Sequence, residues 1–299
     1  MSILVVGSVG IDSLETPQGK RDSILGGSAC HFALAASALS KSIRLVGVVG
    51  TDFPEEYSSL LEKHGVDLEG LERVEGETFR WEGKYEEFGT AISLATHLNV
   101  FENFDPKIPS SYESSDIVFL GNIAPGLQEK VLDSMPKPKL TVMDTMNFWI
   151  SSQKDAVMSL FGRVDVAIVN DQEAKDLTGE RHAYDAGVKL LDTGAKMVIV
   201  KKGEHGALLI SKDDFFITPS FPSASILDTT GAGDSFAGGF CGYLDTCQEI
   251  DQQSIRRAVV YGCILGSLNI EGFGPEKTAE ITSKDVEERF AYIKKITEF

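Results

Sequence analysis

The run Asp228-Thr229-Thr230-Gly231-Ala232-Gly233-Asp234-Ser235-Phe236 holds residue types suited to chemistry. Gly231 and Gly233 permit a tight turn with no side chain over it, and the residues that follow read as a helix. The first N–H groups of a helix have no intrahelical partners, and the helix dipole adds positive character there. The turn therefore predicts an anion site built from the N–H groups of Gly231, Ala232, Gly233 and Asp234. Asp234 is a carboxylate planted inside that anion site. One role reconciles the two: Asp234 takes a proton from a hydroxyl while the amides hold the developing negative charge. That combination suits phosphoryl transfer to an alcohol. The plain alternative is a glycine loop with an N-capping Asp.

Other stretches could serve such a centre. Leu25-Gly26-Gly27-Ser28 opens an alanine-rich helix that carries Cys30 and His31, and its paired glycines let a ligand approach the backbone. Asp12 follows the strand Ile3–Val6, where open α/β sheets bind ligands. Asn170 and Glu173 close another strand and open a helix. Lys201, Gly203 and Gly206 sit in a strand–turn–strand segment. Asp144, Asn147, Phe148 and Trp149 follow a further strand end, open to reading as loop caps and core or as substrate contacts.

These stretches resemble the ribokinase-like (PfkB) carbohydrate kinase family, in the expected order and over nearly the whole chain. Asp228 to Gly239 is similar to its D-T-x-G-A-G-D-x-F-x-G-G motif, and Gly26-Gly27 to its G-G-x-x-x-N-x-A motif, with His31 at the Asn position. The resemblance implies that Asp234 is the base, and that Asp12, Gly26, Gly27 and His31 bind the acceptor. Asn170 and Glu173 match N-x-x-E, with Glu173 ordering the water shell of Mg²⁺. Lys201, Gly203, Gly206 and Gly272 would lie along ATP. Carbonyls around Asp228 and Thr230 would contribute to a K⁺ site. The resemblance also implies a small β-sheet lid, from about 13–24 and 74–101, that excludes water and can form a homodimer contact.

The elements needed to position such residues are legible. Short apolar strands ending in glycine or a polar residue alternate with helices, including 54–64 and 251–268. This implies an α/β fold, a doubly wound and mostly parallel sheet flanked by helices, in a single domain over 1–299. Between 74 and 101 the pattern turns to half-exposed strands, with Gly83 and Gly89 as breaks. A formal net charge of -17 argues against nucleic acid or an anionic membrane as partner. Cys30, Cys241, Cys247 and Cys263 lack C-x-x-C spacing, so reduced thiols in a cytoplasmic protein are expected. Met1 to Val6 does not read as a signal peptide. No G-x-x-x-x-G-K-[ST] occurs, and Val9 in Gly7-Ser8-Val9-Gly10 removes a dinucleotide fingerprint. The first expectation is an ATP-dependent kinase of a small sugar. A nucleoside kinase, with Phe79, Trp81, Phe148 or Trp149 stacking on a base, is the second; a non-catalytic sensor is the third.

Overall fold

The structure is a computed structural model that describes residues 1–86 and 91–298. In chain order the strands are β1 (Ile3–Val6), β2 (Gly10–Thr16), β3 (Gly19–Gly26), β4 (Ile43–Gly50), β5 (Val66–Val74), β6 (Phe79–Lys84), β7 (Ile92–His97), β8 (Ile117–Leu120), β9 (Leu140–Met143), β10 (Val166–Asn170), β11 (Met197–Lys201), β12 (Ala207–Ser211) and β13 (Phe215–Thr218). The helices are α1 (Ser28–Ser37), α2 (Glu55–Lys63), α3 (Pro125–Ser134), α4 (Asn147–Ser152), α5 (Lys154–Phe161), α6 (Asp171–Thr178), α7 (Ala183–Leu191), α8 (Ala232–Thr246), α9 (Gln252–Asn269) and α10 (Ser283–Ile296).

The large sheet has nine strands in the order β13-β12-β11-β10-β9-β8-β1-β4-β5. It is parallel from β11 to β5, and β12 and β13 add an antiparallel edge. Its central strands read as unbroken apolar runs because both faces are covered. Ile3 and Val5 face a core built with α1, α8 and α9, while Leu4 and Val6 face a second core built with α3, α5, α6 and α7. Helices on both faces make the sheet doubly wound, as the strand–helix alternation predicts. Parallel order also brings the carboxyl ends of β1, β9, β10 and β11 to one edge, where the turns of interest begin.

The small sheet has the order β3-β2-β6-β7. Its centre pairs β2 with β6 in parallel, and the flanking pairs are antiparallel. Several details differ from the sequence reading. Asp12 lies inside β2 rather than in a loop after β1. Val74 ends β5 of the large sheet, so the second small-sheet segment starts later than position 74. Gly83 does not break its strand: β6 runs through it, shifting register between Glu82 and Gly83, with the Trp81 ring lying over the space a Cβ would fill. Gly89 lies outside the described residues. Strands β5 and β13 escape the sequence pattern for different reasons: β5 mixes charged and apolar residues along its length, while β13 has only four residues and its exposed positions, Phe215 and Ile217, are apolar, so neither shows a clean period.

The core between α1 and β8 is set by Phe32 and Phe119, both fully buried and stacked with ring centroids 4.3 Å apart. Removing one ring leaves a cavity that rigid neighbours fill only in part. Phe119→Ala is expected to lower unfolding free energy in urea by about 3–5 kcal/mol; a loss under about 1 kcal/mol would contradict this placement of the core.

Candidate active site

The turn before α8 is built by Asp228. Its carboxylate is fully buried, and Oδ1 accepts the Thr230 N–H at 2.9 Å and the Thr230 hydroxyl at 2.7 Å. Oδ2 accepts the Gly274 N–H at 2.8 Å. Asn269 Nδ2 donates to the Thr230 carbonyl at 2.7 Å from the end of α9. Gly231 then takes φ 71, which favours glycine, and starts the helix. A Cβ at this position would fall 2.2 Å from the His31 ring, so no larger residue fits.

The opened helix start is narrower than the sequence reading held. The Ala232 N–H turns back onto the Thr229 carbonyl at 3.3 Å, and Ser235 donates to Gly231 at 2.8 Å. Among the described residues the amides of Gly231, Gly233 and Asp234 have no protein acceptor at hydrogen-bond distance outside their own residue. These remaining N–H groups could cradle an anion. Ala232 belongs to the turn but does not offer its amide.

Asp234 stands within this cradle, pushed up to about 7 by burial and then by the charge of Asp144, with Lys201 and its own N–H pulling the other way. Asp12 is buried in β2 and likewise pushed up to about 7, first by burial and then by Asp228 and Asp234, against a hydrogen bond from Gly27. Its Oδ1 is buried without a partner among the described residues. Gly26 is required here, because a Cβ would lie 2.1 Å from the Asp12 carboxyl carbon. A buried carboxylate oxygen left unpaired is costly unless a ligand donates to it.

His31 is also buried, with neither ring nitrogen hydrogen-bonded among the described residues. Burial pushes it down and keeps the imidazole neutral. Its ring packs against Gly231, so the residue at the Asn position supports the turn that shapes the cradle.

The opposite wall comes from the ends of β9, β10 and β11. Lys201 Nζ pairs with Asp144 Oδ2 at 2.7 Å, both side chains largely buried. Burial alone would lower the Lys201 ammonium, but Asp144 and Glu173 outweigh it and hold it up. A Cβ on Gly233 would sit 2.9 Å from Lys201 Nζ, so this glycine admits the ammonium beside the cradle. Glu173 and Asn170 form a reciprocal cap on α6: the Asn170 N–H donates to Glu173 Oε2 at 2.7 Å, and the Glu173 N–H to Asn170 Oδ1 at 2.8 Å. Burial, then Asp144, pushes Glu173 up to about 7. Its Oε1 accepts no hydrogen bond from the described residues, which fits a carboxylate that meets magnesium through water.

Other expected site residues are tied to packing. Gly206, at φ 83, lies against Thr218 and Pro219, and Gly272 against Lys277; Gly203 has open space around it. The Asp228 carboxylate holds the turn together, and the Thr230 carbonyl, one of the expected K⁺ ligands, accepts one protein donor and keeps a second lone pair. Phe148 is exposed, and Trp149 donates to Asn122 Oδ1 at 2.9 Å. Residues the sequence reading did not assign a role also converge here. Asn269 braces Thr230, and Tyr85, just past β6, places its hydroxyl 2.9 Å from Thr230 Oγ1. Nothing in local sequence flags a lone tyrosine after a short strand.

Comparison with known proteins agrees with this geometry. The pfkB family carbohydrate kinase model matches residues 3–281. A cytidine kinase of Thermococcus kodakarensis is 30% identical over 270 residues, covering 87% of this chain and 96% of that protein. Among solved structures, a nucleoside kinase of Methanocaldococcus jannaschii superposes with TM-score 0.80 at 19% identity, covering 98% of this chain and 99% of that one. A ribokinase of Thermotoga maritima superposes with TM-score 0.76 at 24% identity, covering 97% and 99%.

The raised carboxyls have a consequence for stability. Asp12, Glu173 and Asp234 hold protons in the folded state up to about 7, while the unfolded chain releases them near the ordinary 3.8 to 4.5. The folded state therefore binds more protons between those limits, and stability falls as pH rises through that window. The thermal midpoint of the free protein is expected to drop between about pH 5 and 8, and Asp234→Asn to make the drop shallower. An Asp234→Asn variant with an unchanged slope would contradict the assignment.

Proposed function

The chain belongs to the pfkB carbohydrate kinase family and so is a phosphotransferase with an alcohol acceptor; on that premise we propose that it transfers the γ-phosphate of ATP to a ribose hydroxyl of a nucleoside. Kinases of this family use ATP with Mg²⁺. The observation that carries the reading is the pairing of Asp234 with the open amides of Gly231, Gly233 and Asp234 itself. In this reading Asp12 accepts a hydrogen bond from the acceptor and aims its hydroxyl. Asp234 takes the proton as the hydroxyl oxygen attacks. The cradle amides and the Lys201 ammonium hold the oxygens of the transferring group, whose charge they stabilise without moving. Asn170 and Glu173 would hold the water shell of magnesium, which would screen phosphate charge.

A nucleoside takes precedence over a small free sugar because of Trp81. In the small sheet Trp81 pairs directly with Asp12, and residues paired across neighbouring strands point to the same face. Trp81 lies across Gly83, with its Nε1–H held by Ser93 Oγ at 3.0 Å. This gives a fixed aromatic plane on the face of the sheet that carries the acceptor carboxylate. A plane of that kind suits a base, and stacking is worth about 1–3 kcal/mol in nucleic-acid binding. The cytidine kinase relative supports the same preference. The small sheet then acts as a lid that excludes water as a competing acceptor.

A panel of nucleosides and sugars, read by ADP formation and product mass, tests the substrate class. A nucleoside is expected to give the highest kcat/KM, and Trp81→Ala to raise its KM about tenfold or more; a free sugar preferred over every nucleoside would refute the class. Asp234→Asn is expected to lose about 10²–10⁴-fold in kcat while ATP affinity stays within about threefold. A rate near that of the wild type would remove Asp234 as base.

A further inference from the structure

Tyr85 is buried although it follows the end of a small-sheet strand, and its N–H pairs with the Glu15 carbonyl of β2 at 2.8 Å. Its hydroxyl meets Thr230 Oγ1 at 2.9 Å. The proton positions follow from the partners. Thr230 Oγ1 donates its one proton to the buried Asp228 carboxylate at 2.7 Å, so the Tyr85 O–H must donate to Thr230. Burial pushes the Tyr85 phenol up to about 12, and it keeps that proton. A directed chain thus runs Tyr85 to Thr230 to Asp228, and Asp228 is the residue that shapes the turn before Gly231. A second tether lies beside it: Thr16 at the end of β2 donates to the Leu227 carbonyl at 2.9 Å. The central strands of the small sheet therefore end on the catalytic turn, on the same sheet that carries Asp12.

We propose that Tyr85 is a positioning residue for phosphoryl transfer, which locks the Asp228–Gly231 turn to the small sheet so that the phosphate cradle is fully shaped only when that sheet covers the acceptor. The coupling makes physical sense. Thr230 uses its N–H, hydroxyl and carbonyl to hold the turn, and each is satisfied within the protein. Its hydroxyl oxygen, through one of its two lone pairs, is the atom that reads the position of β6. Loss of the Tyr85 donor leaves the turn free to rock about Asp228, and the amides of Gly231, Gly233 and Asp234 lose their common aim. The acceptor would still bind through Asp12, whose hydrogen bond from Gly27 does not involve this chain.

The proposal rests on the kinase reading, and its test has one arm that does not. In Tyr85→Phe, kcat with an acceptor that the wild type phosphorylates is expected to fall about tenfold, because the loosened turn no longer aims its amides at the transferring group, with acceptor KM within about threefold. ATP hydrolysed without acceptor should rise relative to transfer. A kcat within about twofold of wild type, or a change in KM alone, overturns the proposal. The second arm is amide hydrogen exchange of the free protein, read at the Thr230 and Ser235 N–H groups. Exchange there should quicken at least about fivefold in Tyr85→Phe, with β1 amides unchanged; unchanged exchange at Thr230 overturns the proposal even if no acceptor is ever found. If wild type phosphorylates nothing while Thr230 exchange quickens, the kinase reading fails and the tether stands.

Discussion

A helix cannot satisfy its own first N–H groups, and the rest of this site follows from where α8 is made to begin. Asp228 folds the chain back through Thr230, Gly231 turns it into the left-handed region, and the helix opens there. The residue that would ordinarily cap such an end is missing: Gly231 has no side chain to offer. Amides left open in this way are an unsatisfied demand for an anion, which in the proposed reading a phosphoryl group would meet. The direct amide contacts matter more than the helix dipole. Hydrogen bonds to a charged group contribute about 1.5–3 kcal/mol each, whereas the dipole adds about 0.3–1 kcal/mol at an exposed end.

The same corner of the molecule concentrates negative charge. Asp12, Asp144, Glu173, Asp228 and Asp234 converge, with Lys201 paired to Asp144 beside the cradle. Burial and mutual repulsion raise the carboxyls that have few donors, and Asp228, which accepts protein donors on both oxygens, is spent on structure. A base near neutrality is partly ionised yet still strong enough to accept a proton, which suits transfer from an alcohol. This explains how a chain of net charge -17 can take an anionic nucleotide. In the proposed reading the attraction for phosphate is local, made of amides and one ammonium, and owes nothing to the long-range field.

Much of this was legible in the sequence, for physical reasons. The buried strands are continuous apolar runs, and the turns that need glycine carry it, so the doubly wound sheet and the turn at Gly231 could be read residue by residue. Gly26 and Gly27 were legible for the same reason, since Asp12 and Ser8 occupy the space their side chains would need. What could not be read was long-range. The Asn269 and Tyr85 contacts with Thr230 join segments that are 39 and 145 residues apart. The retreat of the Ala232 amide onto Thr229 depends on turn geometry that composition does not encode. Asp12 was expected just past β1 but lies inside β2, because β2 alternates too weakly to show a strand. His31 was expected to touch the acceptor; what the structure gives it is a place against Gly231.

The central claim is that the amides opening α8 receive the phosphoryl group while Asp234 receives the proton. The most direct test is a crystal structure with ADP, Mg²⁺, aluminium fluoride and the acceptor that turns over best. The expected result is fluoride about 2.7–3.1 Å from the amides of Gly231, Gly233 and Asp234, with the acceptor hydroxyl oxygen at similar distance from the Asp234 carboxylate. Fluoride bound away from those amides, or a hydroxyl oriented by another base, would contradict it.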